Sequence, residues 1–196
     1  MREEPAGEKT ALRRRLLAAR QALPLDGRQR WSEAICRRVA GTSMFREAAH
    51  IVAYVPLGAE VDPTEVASDV LRSGRALYYP CDDGTVGIRR AHDVDGRSVA
   101  DRAHEASLPP RDVERVVFLV PGVAFDAEGA RLGRGGGWYD RLLGRFERAR
   151  RIGLAFEMQI VPRVPVDDWD ARMDAVATEA RCLESKRSLV LPERRA

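Results

Sequence analysis

Residues 116–141 read VVFLVPGVAFDAEGARLGRGGGWYDR. The segment opens on five consecutive apolar residues, Val116 to Val120, and Pro121-Gly122 closes the run. A strand that is apolar throughout, rather than alternating, is one covered on both faces of its sheet. A glycine-rich loop follows. Beyond it, Trp138, Leu142 and Phe146 recur at four-residue steps and share one helix face. Strand, glycine loop and helix in that order predict an α/β unit.

Working outward, the same alternation repeats. Leu12, Leu16, Ala19 and Leu23 make one apolar stripe, which predicts a helix over 8–23 stopped by Pro24. Asp26 is placed to cap a second helix, in which Trp31, Ala34, Ile35 and Val39 share a face. The N-terminal helices thus span 8–40. Ile51 to Val55 is a buried-strand candidate ended by Pro56. Asp62-Pro63-Thr64-Glu65 has the composition of a helix start, with Val66, Val70 and Leu71 inside and Gly74 at the end. Ala76 to Tyr79, Ile152 to Phe156 and one strand within Ala175 to Leu183 complete the set. Residues 81–112 read as hairpin and loop around Ile88. The charged tail from about 185 is expected to fray. Apolar strands alternating with helices indicate an α/β layered domain with a largely parallel sheet. No linker divides the chain, so a single domain over 1–196 is expected.

Composition narrows the function. The chain has 196 residues, 44% apolar and 32% charged, with 33 Lys+Arg against 30 Asp+Glu. That suits a folded domain with its own core. No window approaches the roughly 18 apolar residues of a membrane helix. MREEPAGEK lacks the apolar segment of a signal peptide, so a cytoplasmic protein without membrane association is expected. Cys36, Cys81 and Cys182 are far apart and form no C-x-x-C, which speaks against a disulfide framework or thiolate zinc. His50, His92 and His104 are scattered as well. Oxygen ligands, and therefore magnesium rather than zinc, would carry any metal chemistry. The pI is near 9.0. The arginines alternate with acids along the chain, and a small anion is the expected partner rather than nucleic acid.

The loop itself points to phosphate. Gly133, Gly135, Gly136 and Gly137 let the backbone approach a ligand closely, and the helix starting near Trp138 turns its free N–H groups toward the loop. Arg131 and Arg134 add fixed cations suited to bidentate contacts. There is no G-x-x-x-x-G-K-[ST], and Gly133-x-Gly135-x-x-Trp138 lacks the third glycine of a dinucleotide fingerprint. A plain flexible turn is the competing interpretation.

Several ordered blocks together resemble the 5-formyltetrahydrofolate cyclo-ligase (methenyltetrahydrofolate synthetase) family. They are Lys9-x-x-x-Arg13, Tyr54-Val55-Pro56, Glu60-Val61-Asp62, PGVAFD over 121–126 and GARLGRGGGWYDR over 129–141. GLAFEMQ over 153–159 follows, then Val164-Pro165, Asp170, Asp174 and Thr178-Glu179. The resemblance implies a three-layer α/β/α sandwich with a largely parallel central sheet; a monomer is the expectation, although the sequence does not give the oligomeric state. It implies ATP and Mg2+ as cofactors, 5-formyltetrahydrofolate as substrate, and 5,10-methenyltetrahydrofolate, ADP and phosphate as products. Position by position, it makes Lys9, Arg13, Arg131, Gly133, Arg134, Gly135, Gly136, Gly137, Trp138 and Tyr139 the ATP site. Arg134 and Tyr139 would be catalytic, Arg134 lying beside the transferring group. Glu60 and Trp138 would bind the folate, and Asp140 and Asp170 the magnesium.

The chain also departs from the pattern. Trp138 stands where tyrosine is usual, Gly136 where some members carry lysine, and Trp169 where a smaller polar residue or histidine is usual. Tyr78, Tyr79 or Cys81 is left to fill the substrate wall. Two rival readings share these residues: a paralogue with the same ATP site and another small substrate, and a nucleotide- or folate-binding module without turnover.

Overall fold

In the computed structural model, Val116 to Val120 form the centre of a seven-stranded sheet. The structure describes residues 5–82, 86–94 and 115–185. The elements run α1 (Pro5–Gln21), α2 (Leu25–Ala40), α3 (Ser43–Glu47), β1 (His50–Val52), α4 (Thr64–Arg72), β2 (Ala76–Asp82) and β3 (Val86–Ala91). They continue with β4 (Val116–Pro121), β5 (Ala124–Phe125), β6 (Arg131–Leu132), α5 (Trp138–Gly144), β7 (Arg150–Leu154), a 3-10 turn (Glu157–Gln159), β8 (Ala175–Ala177) and β9 (Cys182–Glu184). The sheet order is β3-β2-β1-β4-β7-β8-β9. Its five inner strands are parallel, and β3 and β9 close the two edges antiparallel. All six residues of β4 are buried, as a strand flanked by β1 and β7 and covered on both faces requires.

The period of two along each strand divides the core. Ile51, Val117, Leu119, Ile152 and Leu154 face α2, α3 and α4. Val52, Val116, Phe118 and Val120 face Leu142 and Leu143 of α5. Helices therefore cover both faces, giving the three-layer arrangement expected. A small β5–β6 hairpin packs with α1 through Leu16, Val123, Ala124 and Leu132.

Several boundaries differ from the sequence expectation, each for a physical reason. In α1, Ala19 faces outward and Arg20 is buried in its stead, because polar groups below the helix take up its guanidinium. Asp26 is not the cap of α2; Pro24 precedes the first turn and Asp26 lies inside it. The cap of α4 falls on Pro63, although the Asp62 carboxylate still accepts from Thr64 N at 2.9 Å. Pairing ends β1 at Val52. Pro80 does not end β2. Beyond Tyr78 the strand has β3 alone beside it, so a missing N–H is tolerated there. Ile88 lies in β3, as expected, while 83–85, 95–112 and the tail from 186 are outside the described residues. The last expected strand is two, β8 and β9. The three cysteines are free, and burial pushes the Cys36 thiol up to about 12.

One packing detail fixes the site loop. The fully buried Phe125 ring lies against Gly122 and Gly153, where an added Cβ would come within 2.5 and 2.6 Å of ring carbons. The ring cannot retreat. Gly153→Ala is therefore expected to destabilise the fold by about 1–3 kcal/mol, read as a melting temperature several degrees lower. An unchanged melting temperature would contradict this packing.

Candidate active site

In the sheet, the chain leaves β1 toward β2 on one side and β4 toward β7 on the other. The order thus reverses between β1 and β4. Open α/β sheets bind ligands outside the carboxyl ends of the strands at such a point. A cavity of about 860 Å³ lies there. The segment after β1 supplies Val55, Leu57 and Glu60. The end of β4 supplies Pro121, and Gly122 follows it. The glycine loop with the start of α5, the inner face of α1, and residues 167–170 complete the lining. The residues expected to bind ATP, folate or magnesium all line this one cavity: Lys9, Arg13, Glu60, Arg131, Gly133 to Gly137, Trp138, Tyr139, Asp140 and Asp170; Tyr78, Tyr79 and Cys81, left to fill the substrate wall, do not.

One end is cationic. Lys9 and Arg13 stand one turn apart on the buried side of α1. Lys9 Nζ donates to Asp167 Oδ2 and Asp170 Oδ2, each at 2.7 Å. Arg13 Nε donates to Gly133 O at 2.9 Å and lies beside Gly135, whose φ of +111° suits glycine alone. Burial raises the Asp170 carboxyl, but the hydrogen bonds from Lys9 and Asp167 N and the charges of Lys9 and Arg131 together outweigh it and hold the group below its ordinary value of 3.8. Burial lowers Lys9, while Asp167 and Asp170 together hold it above 10.5. The clamp therefore persists across the neutral range. It is lost as pH falls below 3.8 toward the lower folded value, or rises above 10.5 toward the higher one.

Arg131 is buried. It donates to Asp140 Oδ1 at 2.8 Å and lies over the Tyr139 ring at 5.6 Å. Its Nε has no hydrogen-bond partner among the described residues. Asp140 also accepts from Ala171 N at 3.3 Å, which links it to the Asp170 loop. Burial, then Glu60, pushes the Tyr139 phenol well up, so at neutral pH it keeps its proton. Trp138 Nε1 donates to Asp82 Oδ2 at 3.0 Å, fixing α5 to the end of β2.

The other wall centres on Glu60, whose side chain is 6% exposed. Arg134, 49% exposed, reaches across the cavity to it. Nε and one terminal nitrogen donate to Glu60 Oε1 at 3.1 and 2.9 Å, and that terminal nitrogen also donates to Leu57 O at 3.0 Å. Leu57 N in turn donates to Glu60 Oε2 at 2.9 Å. The indole of Trp169 is 76% exposed at the rim.

Among the described residues no group of three or more His, Cys, Asp and Glu side chains is placed to hold a metal ion. The available donors, Asp140, Asp167 and Asp170, are hard oxygens. Magnesium commonly needs only one or two carboxylates when substrate phosphates supply the rest. The residues fit that ion.

Sequence reasoning missed four residues of this framework. Asp167 shares Lys9, and Asp82 holds Trp138. Gln159 donates to Gly122 O at 2.9 Å and Val123 O at 3.1 Å, behind the loop. Arg20 donates to the same Gly122 O at 2.9 Å. A signal for Arg20 existed: Lys9, Arg13, Leu16 and Arg20 fall at helical spacing on one stripe. By contrast, Asp174 and Thr178-Glu179 of the C-terminal blocks do not line the cavity. Thr178 Oγ1 bonds Glu157, and Asp174 accepts from Arg151 N, so they brace the scaffold.

A glycine-lined cavity carrying lysine and arginine side chains thus lies at the switch point of the central sheet of a three-layer α/β protein. Residues 5–179 match the family model described as the 5-formyltetrahydrofolate cyclo-ligase family. The chain belongs to that family. It is 33% identical over 149 residues to the 5-formyltetrahydrofolate cyclo-ligase of Escherichia coli K12, covering 69% of this chain and 81% of that protein. It is 27% identical over 192 residues to the enzyme of the same name from Mus musculus, covering 87% and 93%. The solved 5,10-methenyltetrahydrofolate synthetase of Aquifex aeolicus superposes with a TM-score of 0.76 at 32% identity, covering 96% of this chain and 99% of that one. No helix among the described residues is long and apolar enough to cross a membrane.

Proposed function

We propose that the protein converts 5-formyltetrahydrofolate and ATP to 5,10-methenyltetrahydrofolate, ADP and phosphate. One observation carries this reading: phosphate-suited cations and a buried carboxylate face each other across a single cavity at the β1/β4 switch point. The N5-formyl oxygen attacks the γ-phosphorus and ADP leaves. N10 then closes on the formyl carbon and gives up its proton, and phosphate departs with the former formyl oxygen and can carry that proton. Such transfers need positioning and charge neutralisation more than proton shuttling. That accords with a lining that, among the described residues, is rich in arginine, glycine and aspartate and holds no histidine.

Lys9 and Arg13 bind the triphosphate, Lys9 exchanging at least one carboxylate for a phosphate oxygen. The glycine loop wraps the phosphates. Glu60 accepts from the pterin's donor edge, with Trp138 beside it. Arg134 neutralises the transferring group, and Tyr139 donates a hydrogen bond from a phenol that stays protonated. Asp140 and Asp170 would hold one magnesium ion, which supplies charge neutralisation when bound.

Asp140→Asn is expected to raise several-fold the magnesium concentration giving half-maximal rate. An unchanged magnesium titration would reject the assignment.

A further inference from the structure

The Glu60 carboxylate lies between two guanidiniums that differ in kind. Arg134 is half exposed and sits on a loop with glycine on either side; it grips Oε1 at 2.9 and 3.1 Å. Arg20 is buried on α1. One of its terminal nitrogens is spent on Gly122 O at 2.9 Å, and the other faces the same Oε1 at 3.8 Å. Gln159 holds that carbonyl from a second direction at 2.9 Å, so Arg20 has a rigid anchor. The tight partner is the one free to leave, and the loose partner is the fixed one.

We propose that Arg20 is a positioning residue for the folate-binding carboxylate: it stays as the counter-charge of Glu60 when substrate displaces Arg134. This rests on the assignment of Glu60 to the pterin given above. A carboxylate this buried cannot lose its single strong cation without a large desolvation cost. With Arg20 in place, Oε1 has a second guanidinium within reach. The substrate's N–H groups can then replace Arg134, and the released Arg134 is free to meet the transferring phosphate. Folate arrival and phosphate engagement become one exchange, mediated by a residue that touches neither ligand.

The test is a double-mutant cycle on the dissociation constant of 5-formyltetrahydrofolate, with ATP affinity measured in parallel. Arg20→Met is expected to weaken folate binding about tenfold and leave ATP affinity within about twofold, the loss of a charged contact acting on one ligand alone. In a Glu60→Gln background the same substitution is expected to change folate binding less than about twofold, since the charge it serves is gone. Arg20→Lys, which keeps the charge but cannot both hold Gly122 O and face Glu60, supplies the folded variant if methionine unfolds the protein; an intermediate loss is expected. An equal loss in both backgrounds, or equal weakening of folate and ATP, would overturn the proposal and leave Arg20 a structural residue. If Glu60→Gln alone leaves folate binding unchanged, the folate site itself is misassigned and this inference falls with it.

Discussion

Arg134→Ala is expected to lower kcat by about a hundredfold or more while the protein keeps its fold. The size follows from removing one preorganised charge donor at developing transition-state charge. The fold should survive because Arg134 is half exposed and, among the described residues, its hydrogen bonds go to Glu60 and Leu57 O. Glu60 retains Arg20 at 3.8 Å, so the substitution leaves no wholly unpaired carboxylate. Steady-state kinetics beside a circular-dichroism melt decide it. A folded Arg134→Ala protein with normal kcat would remove the residue from the catalytic step.

Lys9→Met is expected to act on a different quantity. Methionine fills much of the apolar stem while deleting the charge, so the KM for ATP should rise about ten- to a hundredfold, the worth of one charged hydrogen bond. The affinity for 5-formyltetrahydrofolate should change little, because Glu60 lies on another wall, paired with Arg134 and Leu57 N, while Lys9 is paired with Asp167 and Asp170. Lys9→Arg should recover part of the loss. An ATP KM that does not move would assign Lys9 to bracing the Asp167–Asp170 loop alone.

The sheet could be read from sequence where apolar runs were long. Val116 to Val120 is buried at every position because it is the central strand. Short or edge segments were harder: β9 has three residues and no apolar run, and only pairing with β8 reveals it. Pro80 misled because strand proline is judged by local rules, whereas its tolerance depends on how far the neighbouring strand extends. The glycine loop announced itself through composition. Arg20 carried only its helical spacing with Lys9, Arg13 and Leu16, a weak signal because a cation on a helix ordinarily faces water; the fold shows Gly122 O and Glu60 beneath it. The switch point between β1 and β4, which places the cavity, depends on strand order and was not legible in any local stretch.

The most direct test of the proposed reaction is the near-ultraviolet absorbance of the methenyl product in a mixture of purified protein, 5-formyltetrahydrofolate, ATP and magnesium. A rise that requires both ATP and magnesium is the predicted result. No rise from a folded protein that binds ATP would contradict it, and would turn attention to Trp138 and Trp169 as the residues that redirect the site to another substrate.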